Sequence, residues 1–117
     1  MRPTVFIVDD HREFRTSAGA LLESQGFEVI GEAADGDEAL STIGGVRPDI
    51  VLLDVQMPGR DGFAVADDLA ALPEPPMIVL ISSADASVYG RRIADTKAQG
   101  FISKSMLSGP ALAALVD

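Results

Sequence analysis

The chain has 117 residues, 47% of them hydrophobic, enough to bury one core but scarcely two. It has no cysteine and no tryptophan, which excludes disulfides, thiolate catalysis and Cys-liganded zinc. Eighteen acids against nine bases give a formal net charge of −9, which repels nucleic-acid backbones and attracts cations.

The first apolar run, TVFIV at 4–8, is rich in β-branched residues and ends at Asp9-Asp10. Its apolar part, Val5 to Val8, is too short for a signal peptide. No run approaches a membrane span, so a soluble cytoplasmic protein is expected. From Glu13 to Gln25, Phe14, Ala18, Leu21 and Leu22 fall on one helical face, and Gly26 supplies the stop. FEVIGEA at 27–33 alternates like a strand. GDEALSTIGG at 36–45 reads as a short helix stopped by its paired glycines. DIVLL at 49–53 is a second fully apolar strand, running straight into Asp54. Pro58-Gly59 and Asp61-Gly62 then read as turn chemistry. DGFAVADDLAAL at 61–72 is helical, with Phe63, Ala66, Leu69 and Ala70 in register. PEPP breaks the chain before MIVLI at 77–81, a third apolar strand. A polar, helix-compatible stretch from Ala86 to Gln99 precedes the short strand FIS at 101–103. In LSGPALAALV a last helix begins, with Pro110 near its first turn.

Five strands thus alternate with five helices. Continuous apolar strands of this kind imply a parallel sheet covered on both faces. Right-handed crossovers make it a doubly wound α/β sandwich, one domain over residues 1–117. Ligands of such sheets bind beyond the carboxyl ends of the strands. The residues found there are Asp9 and Asp10 after the first strand, Asp54 after the third, Ser82 and Ser83 after the fourth, and Lys104 after the fifth. Clustered carboxylates raise one another's pKa unless a positive charge intervenes. Lys104 is one such charge, and a hard divalent cation with oxygen ligands would be another. A carboxylate nucleophile, a metal and an ammonium around one space suit phosphoryl transfer to an aspartate.

Four stretches carry a resemblance that spans almost the whole chain: VDDH at 8–11, LLDVQMPGRDG at 52–62, VLISSADA at 79–86 and GFISK at 100–104. With them the sequence resembles the receiver domain of two-component response regulators. The resemblance implies a flavodoxin-like five-stranded sheet of order 2-1-3-4-5, with Asp54 as phosphoacceptor and Mg²⁺ as cofactor. It implies that Asp10, Asp54 and the Gln56 backbone carbonyl bind the metal, with Asp9 helping through water or by positioning. Lys104 would pair with the phosphoryl group, Ser82 would hydrogen-bond one of its oxygens, and Phe101 stands where the family has its switching aromatic. The phosphodonor would be a sensor histidine kinase or phosphotransfer protein. The signal would emerge on the face of the fourth helix, fifth strand and fifth helix, which could meet an output domain or a second copy.

The sequence departs from the family in places. Ser105 replaces the proline that often follows the lysine, so the cis bond usual there is not carried over. Phe101 lacks a tyrosine hydroxyl, which leaves any switch to packing. The GFISKS ending is similar to receivers joined to helix-turn-helix output domains. Asp10 is also suited to cap the first helix, and His11 reads as a surface residue. Two other functions compete with the receiver reading. An aspartyl-phosphate phosphatase would want an acid two residues after the nucleophile, where Gln56 stands. A docking module that no longer takes phosphate would have lost an acid or the lysine, and this chain keeps them all. The expectation is a phosphoacceptor switch that is not a turnover enzyme.

Overall fold

The computed structural model describes residues 2–116. In chain order the elements are β1 (Thr4–Val8), α1 (Arg12–Ser24), β2 (Glu28–Ala33), α2 (Gly36–Val46), β3 (Ile50–Asp54), α3 (Gly62–Ala70), β4 (Met77–Ser82), α4 (Arg91–Asp95), β5 (Gly100–Ser103) and α5 (Gly109–Val116). Short 3₁₀ turns at Ala86–Val88 and Lys104–Met106 precede α4 and α5. All strand pairs are parallel, in the order β2-β1-β3-β4-β5, as the resemblance implies.

The apolar strands divide their side chains by parity, because successive residues face opposite sides of a sheet. Phe6, Val8, Val51, Leu53, Ile78 and Leu80 join Ala39, Ile43, Val65, Ala66 and Leu69 of α2 and α3 on one face. Val5, Ile7, Ile50, Leu52, Val79 and Ile81 join Ala18, Leu22 and Leu112 of α1 and α5 on the other. The central strand β3 is buried along its whole length, Asp54 included. That two-sided burial explains why its sequence does not alternate.

Three local expectations are revised. The glycine pair does not stop α2, which runs through Gly44 and Gly45 to Val46. It ends instead at Arg47, in the left-handed region at φ 56°, where Pro48 bars continuation. Asp10 does not cap α1, because the helix begins one residue later, with His11 at the cap position. The stretch 86–99 is not one helix. A 3₁₀ turn is followed by Gly90 at φ 53°, α4 lasts five residues, and Thr96 is already extended. With few apolar positions on that stretch, little packing opposes the break. Among the described residues no peptide bond is cis, so the bond after Lys104 is trans. No helix of the described residues is long and apolar enough to cross a membrane.

Candidate functional site

β3 delivers Asp54 to the carboxyl edge of the sheet and holds it there. Val55 N–H donates to the Ile81 carbonyl at 2.9 Å, which extends the ladder one residue beyond the aspartate. Gln56 N–H then turns back to Asp54 Oδ1 at 3.2 Å. The loop closes where Gly62 N–H meets the Val55 carbonyl at 2.8 Å. Gly62 is a close-approach glycine rather than a turn residue, since a Cβ there would lie 2.3 Å from the Asp54 carbonyl oxygen. Asp61, read as part of the same turn, caps α3 by accepting from Ala64 N–H at 3.0 Å.

The predicted side chains converge. Asp54 is 3% exposed, and Asp9, from the end of β1, is 0% exposed. Lys104, just past β5, places Nζ 2.6 Å from Asp9 Oδ2 and 3.5 Å from Asp54 Oδ2. The face of Phe14 on α1 lies 4.5 Å from the same ammonium. Burial is the main cause that pushes the Asp54 carboxyl up to about 6, and neighbouring Asp9 adds to it. Lys104 and the Gln56 N–H pull the other way without cancelling it.

The donor atoms of Asp9, Asp10, His11 and Asp54 all lie within 4.8 Å of one another. Asp9 Oδ2 and Asp10 Oδ1 are both buried; the Lys104 ammonium meets the first at 2.6 Å, and the second has the His11 ring nitrogen beside it at 3.2 Å. Three carboxylates clustered around a single lysine fit a hard divalent cation, which takes oxygen ligands. Asp9, Asp10 and Asp54 could therefore hold one. Gln56 is exposed at the rim, where it lines an open depression with Asp10, Met57, Tyr89 and Arg92.

Of the two serines after β4, only Ser82 is buried, at 0% exposure, and Ser83 is exposed. Ser82 Oγ accepts from Ala84 N–H at 3.1 Å and lies 2.6 Å from the Tyr89 hydroxyl. Phe101 is half-buried against the core, with its ring 5.9 Å from that of Tyr89.

Several residues at the site were not legible as such in the sequence. Tyr89 stands next to Val88, which is exposed, and only the 3₁₀ turn aims its ring inward. His11 is 69% exposed, yet its Nδ1 lies 3.2 Å from both Asp9 and Asp10. Arg92 pairs with Asp61 at 2.6 Å and stacks 4.2 Å over Phe63. Partial burial opposes ionisation of Asp61, but Arg92 and the backbone N–H groups of α3 hold its carboxyl below the usual value.

Known proteins resemble this chain in sequence and fold. A family model described as the response regulator receiver domain matches residues 5–116. The transcription regulator of virulence factors BvgA of Bordetella pertussis is 35% identical over 100 residues, 86% of this chain and 48% of the relative. The DNA-binding transcriptional activator EvgA of Escherichia coli is 33% identical over 98 residues, 84% of this chain and 48% of the relative. The chain therefore spans about half the length of these curated relatives. Among solved structures, the receiver domain of the response regulator NarL from Mycobacterium tuberculosis superposes with a TM-score of 0.84 at 33% identity, covering 97% of this chain and 96% of that one.

Proposed function

The chain belongs to the receiver domain family of two-component response regulators, and on that premise we propose that Asp54 is its phosphoacceptor. One observation carries the reading. A buried carboxylate at the end of the central strand shares a lysine with a second buried acid, and ligand oxygens of both lie within 4.8 Å of one from Asp10.

With its carboxyl at about 6, most of Asp54 is ionised at neutral pH and able to act as a nucleophile. Its oxygen attacks the phosphorus of a phosphohistidine on a sensor kinase or phosphotransfer protein. The phosphorus–nitrogen bond breaks, the imidazole leaves, and an acyl phosphate remains on Asp54. Lys104 lies close enough to follow the charge as it moves onto the phosphoryl oxygens. Ser82 donates its hydroxyl to one of them. Asp10, Asp54 and the Gln56 carbonyl, with help from Asp9, would hold Mg²⁺, whose chemistry there would be to add positive charge to the site. The protein is modified once per cycle rather than turning over a separate substrate. Gln56, two residues after the nucleophile, offers no acid for a phosphatase.

The output surface of this reading is α4, β5 and α5, with Phe101 as its packing switch. Val88 and Met106, on the turns flanking α4 and following β5, are 65% and 70% exposed, which suits a face made to be covered by an output domain or a second copy. Incubation with acetyl phosphate and Mg²⁺ tests the reading by intact mass. The wild type should gain one phosphoryl group, and Asp54→Asn none. A wild type that stays unmodified, with Mg²⁺ binding verified by calorimetry, would refute the phosphoacceptor and leave a docking module.

A further inference from the structure

We propose that Tyr89 is a positioning residue for Ser82, one whose phenol fixes the serine hydroxyl so that its single proton is kept for a phosphoryl oxygen. The inference deepens the phosphoacceptor reading and rests on it.

A serine hydroxyl has two lone pairs and one proton. One lone pair of Ser82 Oγ is taken by Ala84 N–H at 3.1 Å. The Tyr89 hydroxyl, at 2.6 Å, can take the other. A phenol is a stronger acid than an alkanol, so in this pair Tyr89 is the better donor. With both lone pairs engaged, the rotor of Ser82 is fixed and its proton is directed away from both donors. Ser82 has no access to water at 0% exposure, so that proton is held for whatever acceptor enters the site. A chain of hydroxyls polarised in this direction also strengthens the final donation.

Tyr89 is held in place by contacts that do not involve its oxygen. Its ring lies between Phe63, at 5.7 Å, and Phe101, at 5.9 Å. Its N–H closes the 3₁₀ turn on the Ala86 carbonyl at 3.1 Å. Arg92, stacked on Phe63 and paired with Asp61, ties the following turn to α3. Removing the hydroxyl therefore leaves the ring where it is. The hydroxyl that Phe101 lacks is thus brought to the site by the segment ahead of α4.

The test is a double-mutant cycle on the rate of phosphorylation by acetyl phosphate with Mg²⁺, read by intact mass, in wild type, Tyr89→Phe, Ser82→Ala and the double variant. Tyr89→Phe should melt within a few degrees of wild type and react about three- to tenfold more slowly, as expected for one lost buried hydrogen bond. Ser82→Ala should be at least as slow, and adding Tyr89→Phe to it should change nothing further. A Tyr89→Phe protein that matches wild type overturns the proposal. So does one that slows the reaction by the same factor with and without Ser82, because the effect would then be structural. A wild type that gains no mass overturns the phosphoacceptor reading and this proposal together.

Discussion

At the scale of the residue, Asp54 is a charge kept where burial disfavours it. Its folded carboxyl sits at about 6 against an ordinary 3.8. Above pH 6 both folded and unfolded forms are ionised, and the folded form bears a penalty on the order of 3 kcal/mol. As pH falls through 6 the folded form takes up its proton first, and the penalty is gone by about pH 4. Asparagine has the same shape without the charge. In EDTA at pH 7.5, Asp54→Asn should melt several degrees above wild type, and the gap should close towards pH 4 in a thermal-unfolding series. An equal melting temperature at pH 7.5 would mean that Lys104 already compensates the buried carboxylate. This tension was legible in the sequence, because an apolar run entering an aspartate implies a carboxylate at a buried strand end. Lys104 and Asp9 were legible for the same reason. His11, Phe14 and Tyr89 were not, since each reaches the site by the path of a loop or the facing of a helix.

At the scale of the element, α3 shows how a turn motif can be two packing devices. Asp61 caps the helix and binds Arg92, and its carboxyl is held below the ordinary value. The stability it contributes is present above its unfolded pKa and lost as pH falls through the lower folded one. Asp61→Ala should therefore cost about 1 kcal/mol at pH 7 for the lost cap, with little added by the exposed pair. Chemical denaturation should show that difference vanishing in strong acid. Gly62 is the second device. A methyl group there meets the backbone of Asp54 and Val55, at 2.3 and 2.7 Å, and backbone cannot swing aside. Gly62→Ala should destabilise the fold by about 1–3 kcal/mol and slow phosphorylation, because α3 must lift away from the strand that carries Asp54. Wild-type rate and stability would show that the loop can relax. The stretch 86–99 was the least legible element. Its helical composition is real, but Gly90 at positive φ and the pull of Tyr89 towards Ser82 break it into a turn and a single short helix.

At the scale of the whole molecule, the chain has twice as many acids as bases, for a net charge of −9. Raising monovalent salt from about 0.01 M to about 0.15 M shortens the screening length from about 30 to about 8 Å. Self-repulsion should weaken, so the melting temperature in EDTA should rise with KCl. A fall would show that exposed pairs such as Arg15–Glu32, at 2.8 Å, outweigh the net charge. The sequence by itself determined a doubly wound parallel sheet, because three fully apolar runs, an alternating one and a short one, with helices between them, call for strands covered on both faces. It also determined which side chains stand at the carboxyl edge, because strand ends are set by where apolar residues stop. Only the tertiary structure decided how those side chains share their protons and charges. Lys104 lies nearer Asp9 than Asp54, Ser82 is bound to Tyr89, and Gly62 sits on the backbone of Asp54. Such distances depend on loop paths and helix facings, which arise from packing between distant segments and leave no periodic trace in the chain.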